Sequence, residues 1–282
     1  MKSGGLGAGD GVVGGEDAGA LDRTDVCQPA ILLTSLAVLE ALSARGLLDR
    51  SRVTAVAGLS LGEYSALAWA GALDVSAAVR LVRLRGEAMQ RASDDHPSGM
   101  LSLVGATEES AAALCDAARG DGVLVPANYL APKQVAISGT TAALERAAGL
   151  AREHGVRKAV PLSVAGAFHS PCMDSAASVL AEALDDTEIR VPSTPVVMNV
   201  TGEPTTDPDT IRDLLKRQVT SPVRWQASME HLLAQGVTRF LEPAPARQLT
   251  NMLRRYDTET EVAAATTADD LTGFSAWPGQ ES

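Results

Sequence analysis

A serine flanked by two glycines, between an apolar segment and a helix-like one, is the first feature of the chain that could do chemistry. Ser60 is the centre of the Gly-Leu-Ser-Leu-Gly sequence at 58–62, which follows the apolar segment 53–57, read as a buried strand. A strand that turns at once into a helix needs small flanking residues and projects the central side chain out of the sheet. The unpaired N–H groups that begin the helix, including that of Leu61, can stabilise an oxyanion. The turn therefore predicts a nucleophilic serine, although a Gly-x-Ser-x-Gly sequence also arises by chance.

An arginine lies on the apolar face of a predicted helix. Val82, Arg85 and Met89 have the spacing that places side chains on one face of the helix predicted for residues 77–92. A guanidinium without a partner is costly to bury, so Arg85 either extends to the surface, pairs structurally or meets a substrate anion. The last alternative predicts a bidentate site for a carboxylate, at which lysine would be a poor substitute.

One of the four histidines has the setting of a catalytic residue. His169 follows the small-residue sequence at 165–168 and directly precedes Ser170-Pro171, which open a helix. It is therefore expected in a loop at a strand end, where catalytic groups collect in α/β folds. A loop histidine without a catalytic role is the alternative. The other three are assigned to a polar loop, a helix end and a surface helix: His96, His154 and His231.

The whole chain must supply the core that positions these residues. Its 282 residues suffice for one large domain with a small insertion, and an aromatic content of 3% means that the core is built mainly from Ala, Val and Leu. No run of eighteen apolar residues and no signal-peptide layout is present, so no membrane association is expected. Three widely spaced cysteines and a net charge of −11 favour a reduced, cytoplasmic protein that does not bind nucleic acid. No metal-ligand spacing occurs, so no metal is expected.

The order of predicted elements changes in the middle third of the chain. Residues 98–162 read as strand, helix, strand, strand, helix, strand, the order of a ferredoxin-like unit. The flanking segments, 23–97 and 163–265, alternate helices with short apolar strands. We therefore expect an α/β fold, with an α/β-hydrolase-like core around a parallel sheet and a small inserted ferredoxin-like α+β subdomain. Residues 1–22 are expected to be a disordered tail and residues 266–282 a C-terminal tail.

Local signals predict where individual helices begin. Pro29 suits the first turn of a helix that continues over 30–44, and Ser76 suits the N-cap of the helix over 77–92. Glu108–Ala118 is predicted as a helix of the inserted unit.

Taken together, residues 24–265 resemble the malonyl-CoA:acyl carrier protein transacylase family and the acyltransferase domains of polyketide synthases. The resemblance includes the turn around Ser60, the segment with Arg85 and the motif with His169, and the spacing between them also fits. The matching segments are 27–31, 58–67, 85–90, 128–129, 134–139, 166–170, 195–199 and 218–225.

The resemblance implies a reaction for these residues. His169 would deprotonate Ser60, which attacks the thioester of malonyl-CoA, while the N–H of Leu61 binds part of the oxyanion. The phosphopantetheine thiol of acyl carrier protein would then take the malonyl group from the serine. A backbone carbonyl near Gln218 would orient His169, in place of a triad carboxylate.

The resemblance also implies the substrate and the partners. Arg85 would pair with the malonyl carboxylate, and Phe168 would leave little room for an α-methyl group. The pathway would be fatty acid or polyketide synthesis, with acyl carrier protein as partner, no cofactor beyond the coenzyme A thioester that is the substrate, and a monomeric enzyme. An acidic carrier protein needs a local basic patch on this acidic chain. Candidates for that patch are Lys216, Arg217, Arg224, Arg254 and Arg255.

The N-terminus departs from the family pattern. Most members begin with an apolar strand and a Gly-Gln-Gly-Ser-Gln loop, whose glutamine supplies a second oxyanion N–H. Residues 5–15 are glycine-rich but contain neither the glutamine nor a preceding apolar run. The expectation is a start roughly 30 residues late, and loss of one oxyanion donor costs about 10²–10³ in rate. A misplaced start codon, a shortened sequence and a degenerate paralogue are the explanations left open.

Two other functions fit the same residues. A serine acyl-thioester hydrolase would use the Ser60–His169 pair and release the acyl group to water. An inactive, truncated paralogue would bind carrier protein or coenzyme A without forming an ester on Ser60.

Overall fold

A computed structural model of the chain describes residues 23–256, 259–267 and 270. Its helices are α1 (Thr24–Ala44), α2 (Leu61–Trp69), α3 (Val75–Asp95), α4 (Glu108–Ala118), α5 (Thr141–Leu150), α6 (Asp174–Asp185), α7 (Pro208–Gln218), α8 (Trp225–Ala234) and α9 (Gln248–Leu253). Its strands are β1 (Val56–Ala57), β2 (Ser98–Val104), β3 (Leu124–Ala131), β4 (Gln134–Thr140), β5 (Lys158–Pro161), β6 (Val196–Val197), β7 (Pro204–Thr205), β8 (Arg239–Pro243) and β9 (Glu261–Ala265). This mixture of helices and strands confirms the predicted α/β class.

The core that surrounds the Ser60 turn is built from short parallel strands and the helices packed on them. β1 pairs in parallel with β6, which pairs antiparallel with β7, and β8 pairs in parallel with β9. The largest apolar cluster joins α1, α2, α3, α6 and α7. Its fully buried members include Leu32, Leu67, Val82, Leu180 and Leu215. Small and aliphatic side chains dominate this cluster, as the low aromatic content predicts.

The inserted unit is an antiparallel sheet of four strands in the order β3-β4-β2-β5. With α4 and α5 in the connections, this is the strand order of a ferredoxin-like unit. Its own apolar cluster lies between the helices and the sheet, and includes Leu103, Leu114 and Ile137, all fully buried. The elements of the unit run from β2 at Ser98 to β5 at Pro161. That residues 98–162 form a separate domain stays a prediction.

Two predicted helix starts are wrong. The first turn of α1 packs against another helix, and the start of α3 is set by a different capping residue. α1 begins at Thr24, so Pro29 lies inside the helix and not in its first turn. The first turn packs closely on α3, where a Cβ on Gly86 would lie 2.7 Å from the Cα of Asp25. α3 begins at Val75, and its N-cap is Asp74, whose carboxylate accepts hydrogen bonds from the N–H groups of the next residues, Ser76 and Ala77.

One predicted strand has different bounds in the structure, and the two predicted tails lie wholly or mostly outside the described residues. The predicted strand at 53–57 pairs only over Val56–Ala57, whereas the helix Glu108–Ala118 has the predicted bounds. β9 lies in a segment for which no strand was predicted. The predicted tail at 1–22 lies outside the described residues, as does most of the predicted tail at 266–282.

α1 is long and apolar enough to cross a membrane by length and composition alone, with a mean hydropathy of 1.6 over its best eighteen residues. In the fold its Leu32 and Leu42 are fully buried, and its Gln28 bonds Arg85 of α3. A core helix passes the same hydropathy test, so hydropathy does not by itself indicate a span. The predicted absence of membrane association stays a prediction.

Candidate active site

Ser60 lies in a strained turn between β1 and α2. Its backbone has φ 52° and ψ −103°, a conformation that costs a residue with a side chain about 1–3 kcal/mol. The turn is so tight that a Cβ on Gly58 would lie 2.0 Å from the carbonyl carbon of Gly62. The helix begins at Leu61, whose N–H belongs to the first turn and has no intrahelical carbonyl to bond. The structure therefore has the sharp strand-to-helix turn that the glycines predict.

His169 is in hydrogen-bond contact with the serine and with a backbone carbonyl. The Ser60 Oγ and His169 Nε2 atoms are 2.9 Å apart, and His169 Nδ1 lies 2.8 Å from the carbonyl oxygen of Gln218. A carbonyl oxygen can only accept, so Nδ1 carries the proton and Nε2 is free to accept one from the serine. Burial, with the nearby positive charge of Arg85, lowers the pKa of His169 to about 4. The imidazole is therefore neutral at pH 7 and able to act as a general base.

The loop that carries His169 is held by the inserted sheet. His169 has a left-handed backbone with φ 57°. The Ser138 hydroxyl of β4 donates to the carbonyl oxygen of Phe168, and the Ala167 N–H donates to the Ser98 hydroxyl of β2 at 3.2 Å. The Phe168 ring is half-buried and lines the cavity beside Ser60. The four-stranded sheet thus fixes the position of the loop that carries His169, which lies outside the inserted unit.

Arg85 is buried beside the serine, which excludes the alternative in which it extends to the surface. The residue is 2% exposed. Its Nη1 donates to Gln28 Oε1 at 2.6 Å, and its Nη2 donates to Ser60 Oγ at 2.9 Å and to Gln218 Oε1 at 3.0 Å. The guanidinium carbon is 5.6 Å from the centre of the Tyr64 ring. Burial lowers the pKa of Arg85. These hydrogen bonds go to uncharged oxygen atoms, so the guanidinium can still take a carboxylate as its partner.

A large apolar cavity opens beside the serine. It has a volume of about 1120 Å³, and Ser60, Leu61, Phe168 and His169 are among its lining residues. The volume is sufficient for a drug-sized or larger ligand. Arg85 is not part of the cavity wall, and its guanidinium touches that wall at the Ser60 hydroxyl.

Three buried polar residues of this site were not assigned a role from the sequence. Gln28 bonds Arg85, and Asn199 bonds the turn of Ser60. Glu63 is fully buried, and burial raises the pKa of its carboxyl to about 7. A polar residue directly after the apolar strand β6 was the available signal for Asn199. For Glu63 the available signal was a helix whose other residues are mostly apolar, although an acidic residue in the first turn of a helix is normally solvated.

The predicted basic patch is partly neutralised. Lys216 pairs with Asp185, and Arg217 pairs with Asp213 at 3.2 Å. Arg224 stacks on a tyrosine ring, with its guanidinium carbon 5.7 Å from the centroid. The patch as a docking surface stays a prediction.

Comparisons with known proteins show the family to which the chain belongs. A family model for the acyl transferase domain matches residues 10–273. The malonyl CoA-acyl carrier protein transacylase of Bacillus subtilis (strain 168) is 38% identical over 256 residues, which are 90% of this chain and 80% of the relative.

Solved structures show the same similarity in three dimensions. The malonyl CoA-acyl carrier protein transacylase of Coxiella burnetii superposes with a TM-score of 0.86 at 33% identity, over 91% of this chain and 80% of that one. A type II PKS acyl-carrier protein in complex with its malonyl-transacylase gives a TM-score of 0.85 at 35% identity, over 90% of this chain and 81% of that one. With a family model that matches nearly its full length and relatives of this similarity, the chain belongs to the acyl transferase domain family, among the malonyl-CoA:acyl carrier protein transacylases.

Proposed function

We propose that this acyltransferase moves a malonyl group from malonyl-CoA to the phosphopantetheine thiol of acyl carrier protein, through an ester on Ser60. One observation carries the proposal. The Ser60 hydroxyl lies 2.9 Å from the unprotonated nitrogen of His169 and 2.9 Å from the guanidinium of Arg85. A nucleophile between a neutral base and a buried cation suits an acyl group that carries its own carboxylate.

The first half-reaction acylates the serine. As Ser60 Oγ attacks the thioester carbonyl carbon, its proton passes to His169 Nε2, and the carbonyl oxygen becomes an oxyanion near the N–H of Leu61. Collapse of the tetrahedral intermediate breaks the carbon–sulfur bond, and the imidazolium returns the proton to the departing thiolate of coenzyme A. The Gln218 carbonyl, 2.8 Å from Nδ1, stabilises the imidazolium while it exists.

The second half-reaction reverses these steps with another thiol. His169 takes the proton of the phosphopantetheine thiol, whose sulfur attacks the malonyl ester. When the ester bond breaks, the proton goes to Ser60 Oγ and the enzyme returns to its starting state. All the groups used are side-chain or backbone groups, so the proposal needs no resident cofactor.

Arg85 would select the acyl group. Its hydrogen bonds to Ser60, Gln28 and Gln218 position the guanidinium without neutralising it. A malonyl carboxylate would exchange the contact with the Ser60 hydroxyl for a charged pair, while an uncharged acyl chain would leave the guanidinium without a directly bonded anion. Phe168, which lines the cavity next to the serine, would restrict an α-methyl branch.

We propose acyl carrier protein as the partner that accepts the malonyl group. One structural neighbour is a malonyl-transacylase in complex with a type II PKS acyl-carrier protein. We propose the same class of partner for this chain, in fatty acid or polyketide synthesis, with a monomeric enzyme that works in the cytoplasm.

Intact-protein mass spectrometry tests the proposal. The protein is mixed with malonyl-CoA, and then with holo acyl carrier protein, with Ser60→Ala as the control. We expect a malonyl adduct on the wild type, none on the variant, and transfer of the adduct to the carrier protein. An adduct that decays to free malonate without transfer would support a thioester hydrolase, and no adduct on the wild type would support an inactive paralogue.

A further inference from the structure

We propose that Glu63 and Asn199 are positioning residues. Together they hold the turn of Ser60 in a fixed position relative to the Gln218 carbonyl that orients His169. The inference rests on the proposed reaction only in that it uses the same Ser60–His169 pair. Both residues are buried, at 0% and 1% exposure. Within the part of the chain that the structure describes, neither residue hydrogen-bonds Arg85 directly, and the Gln218 side chain joins Glu63 to Arg85 by donating to the first and accepting from the second.

Asn199 holds the turn from the side of the sheet. Its side-chain Oδ1 accepts the N–H of Ser60 at 2.6 Å, and its Nδ2 donates to the carbonyl oxygen of Gly58 at 2.7 Å. The amide therefore offers the turn one acceptor and one donor, as the peptide group of a neighbouring strand would. These bonds fix the peptides on both sides of Leu59.

The turn needs such a clamp because its backbone conformation is unfavourable. Ser60 has φ 52°, which a residue with a side chain adopts only when the surrounding structure enforces it. Without the two bonds from Asn199, the turn could relax and move Ser60 Oγ away from His169. A displacement of about 1 Å in a reacting group is enough to cost about 10²-fold in rate.

Glu63 joins this clamp to the histidine. Its Oε1 accepts the backbone N–H of Asn199 at 2.7 Å, and its Oε2 accepts a hydrogen bond from Gln218 Nε2. The same Nε2 donates to the carbonyl oxygen of Ser60 at 2.9 Å. The backbone carbonyl of Gln218 accepts from His169 Nδ1. One carboxylate thus connects the segment that clamps the nucleophile to the residue that orients the base.

The hydrogen-bond directions separate this role from simple packing. Both oxygens of Glu63 accept, so Glu63→Gln turns an NH₂ group towards a donor and loses one of the two bonds. The Asn199 amide must donate to Gly58, so Asn199→Asp places an acceptor opposite a carbonyl oxygen. Glu63→Gln keeps size and shape and adds no charge, so a residue that only fills space would tolerate it, whereas Asn199→Asp also buries a carboxylate and is compared with the neutral Asn199→Ser.

The test measures reaction at Ser60 with and without the malonyl group. Steady-state transfer from malonyl-CoA to acyl carrier protein gives kcat and KM. The burst of p-nitrophenol from p-nitrophenyl acetate gives the rate of Ser60 acylation without carboxylate or coenzyme A. Glu63→Gln and Asn199→Asp are compared with Asp74→Asn, which makes the same exchange of oxygen for NH₂ as Glu63→Gln, in a carboxylate that accepts two backbone N–H groups at the start of α3.

We expect both variants to lower kcat and the burst rate by about 10–100-fold, because an interaction that acts in the transition state is lost. KM for malonyl-CoA should change less than about threefold, since Arg85 and the cavity keep their side chains. Asp74→Asn should keep the wild-type rates. If both variants retain wild-type kcat and burst rate, the proposal is wrong.

Two further outcomes are decided by the same measurements. If either variant does not fold, Asn199→Ser takes its place, because it removes the bond to Gly58 with a small side chain, and the same rate loss is expected. If the wild type gives the acetate burst but no malonyl transfer, the proposed function fails, while the burst rates of the variants still support or overturn the positioning roles.

Discussion

The polar interior, which is the group of buried polar residues around Ser60, differs in chemistry from the apolar interior, which lies between the inserted four-stranded sheet and its helices. The first gathers buried polar side chains that bond one another: Gln28, Glu63, Arg85, His169, Asn199 and Gln218. The second is apolar, with Leu103, Leu114, Ile137 and Leu144 packed between sheet and helices. Burial of polar groups costs free energy and demands every partner, whereas burial of apolar groups stabilises without direction. We therefore expect substitutions among these polar side chains to affect activity first, and substitutions in this apolar cluster to affect stability first.

The two interiors meet at the loop before His169. Ser138 and Ser98 of the sheet hydrogen-bond the backbone of Phe168 and Ala167. The apolar interior therefore serves the site by keeping these strands in place. Changes within it should alter the stability of the protein and leave the chemistry of each folded molecule almost unchanged.

The largest effect is expected for Arg85→Lys. Lysine brings a single point charge and lacks the planar fork that bonds Gln28 through one nitrogen and Gln218 and the serine through the other, so the carboxylate site loses its geometry. We expect kcat/KM for malonyl-CoA to fall by about 10²–10³-fold, measured by transfer to acyl carrier protein. The control is Arg83→Lys on the same helix, where an exposed arginine pairs with Glu87. A threefold or smaller loss for Arg85→Lys would contradict the role of the guanidinium.

The matching change in the apolar interior is Leu114→Ala. Leu114 is fully buried in the cluster of the inserted sheet. Its truncation should lower the free energy of unfolding by about 2–5 kcal/mol, measured by denaturant titration. Leu33→Ala, at a 48% exposed position of α1, is the control and should cost far less. A variant that is folded yet has a much lower kcat would show that the two interiors are not separable.

The sequence predicted the apolar region better than the polar one. Glu108–Ala118 has the predicted bounds because its helix signals are local: a capping residue at Thr107 and apolar residues at helical spacing. The turn at Ser60 was equally readable, since a strand, two glycines and a helix are adjacent in the chain. Arg85 was recognisable because it breaks an apolar helix face.

The roles of Glu63 and Asn199 were not readable, because they depend on partners far away in the chain. Glu63 bonds Asn199 and Gln218, which lie 136 and 155 residues further on. The apolar residues that follow Glu63 indicate a buried helix, but they do not indicate the partners of its carboxylate. The predicted start of α1 was wrong for the same reason, because its first turn packs closely against Gly86 of α3, which is distant in the sequence. Local patterns specify elements, and long-range packing specifies the polar contacts of the site.

A smaller effect is expected from pH, through the histidine of the polar interior. The pKa of His169 is lowered from 6.5 to about 4, first by burial and then by Arg85. As the pH falls from about 6.5 towards 4, the unfolded state takes up this proton and the folded state does not, so stability is lost. The wild type should lose about 2–3 kcal/mol more than His169→Gln between pH 7.5 and 4.5.

Denaturant titration of both proteins at the two pH values measures this difference. The comparison with His169→Gln is needed because Glu63 acts in the opposite direction. Its pKa is raised from 4.5 to about 7, so its contribution to stability falls as the pH rises through that window. Equal pH dependence of the wild type and His169→Gln would contradict a buried, neutral imidazole.

The smallest effect is expected at the cap of α4, in the apolar region. The Thr107 hydroxyl accepts the N–H of Ser110 at 3.2 Å, and the Ser110 hydroxyl accepts the N–H of Thr107 at 2.9 Å. Thr107→Ala removes the first bond and should lower the free energy of unfolding by about 1 kcal/mol. Thr107→Ser keeps the hydroxyl and should lie close to the wild type. Because the cap is part of the inserted unit and not of the polar network, kcat for malonyl transfer should be the same in all three proteins. A loss of kcat in Thr107→Ala alone would mean that small changes in the sheet region reach His169 through Ser138, and that the apolar interior sets the geometry of the site as well as its stability.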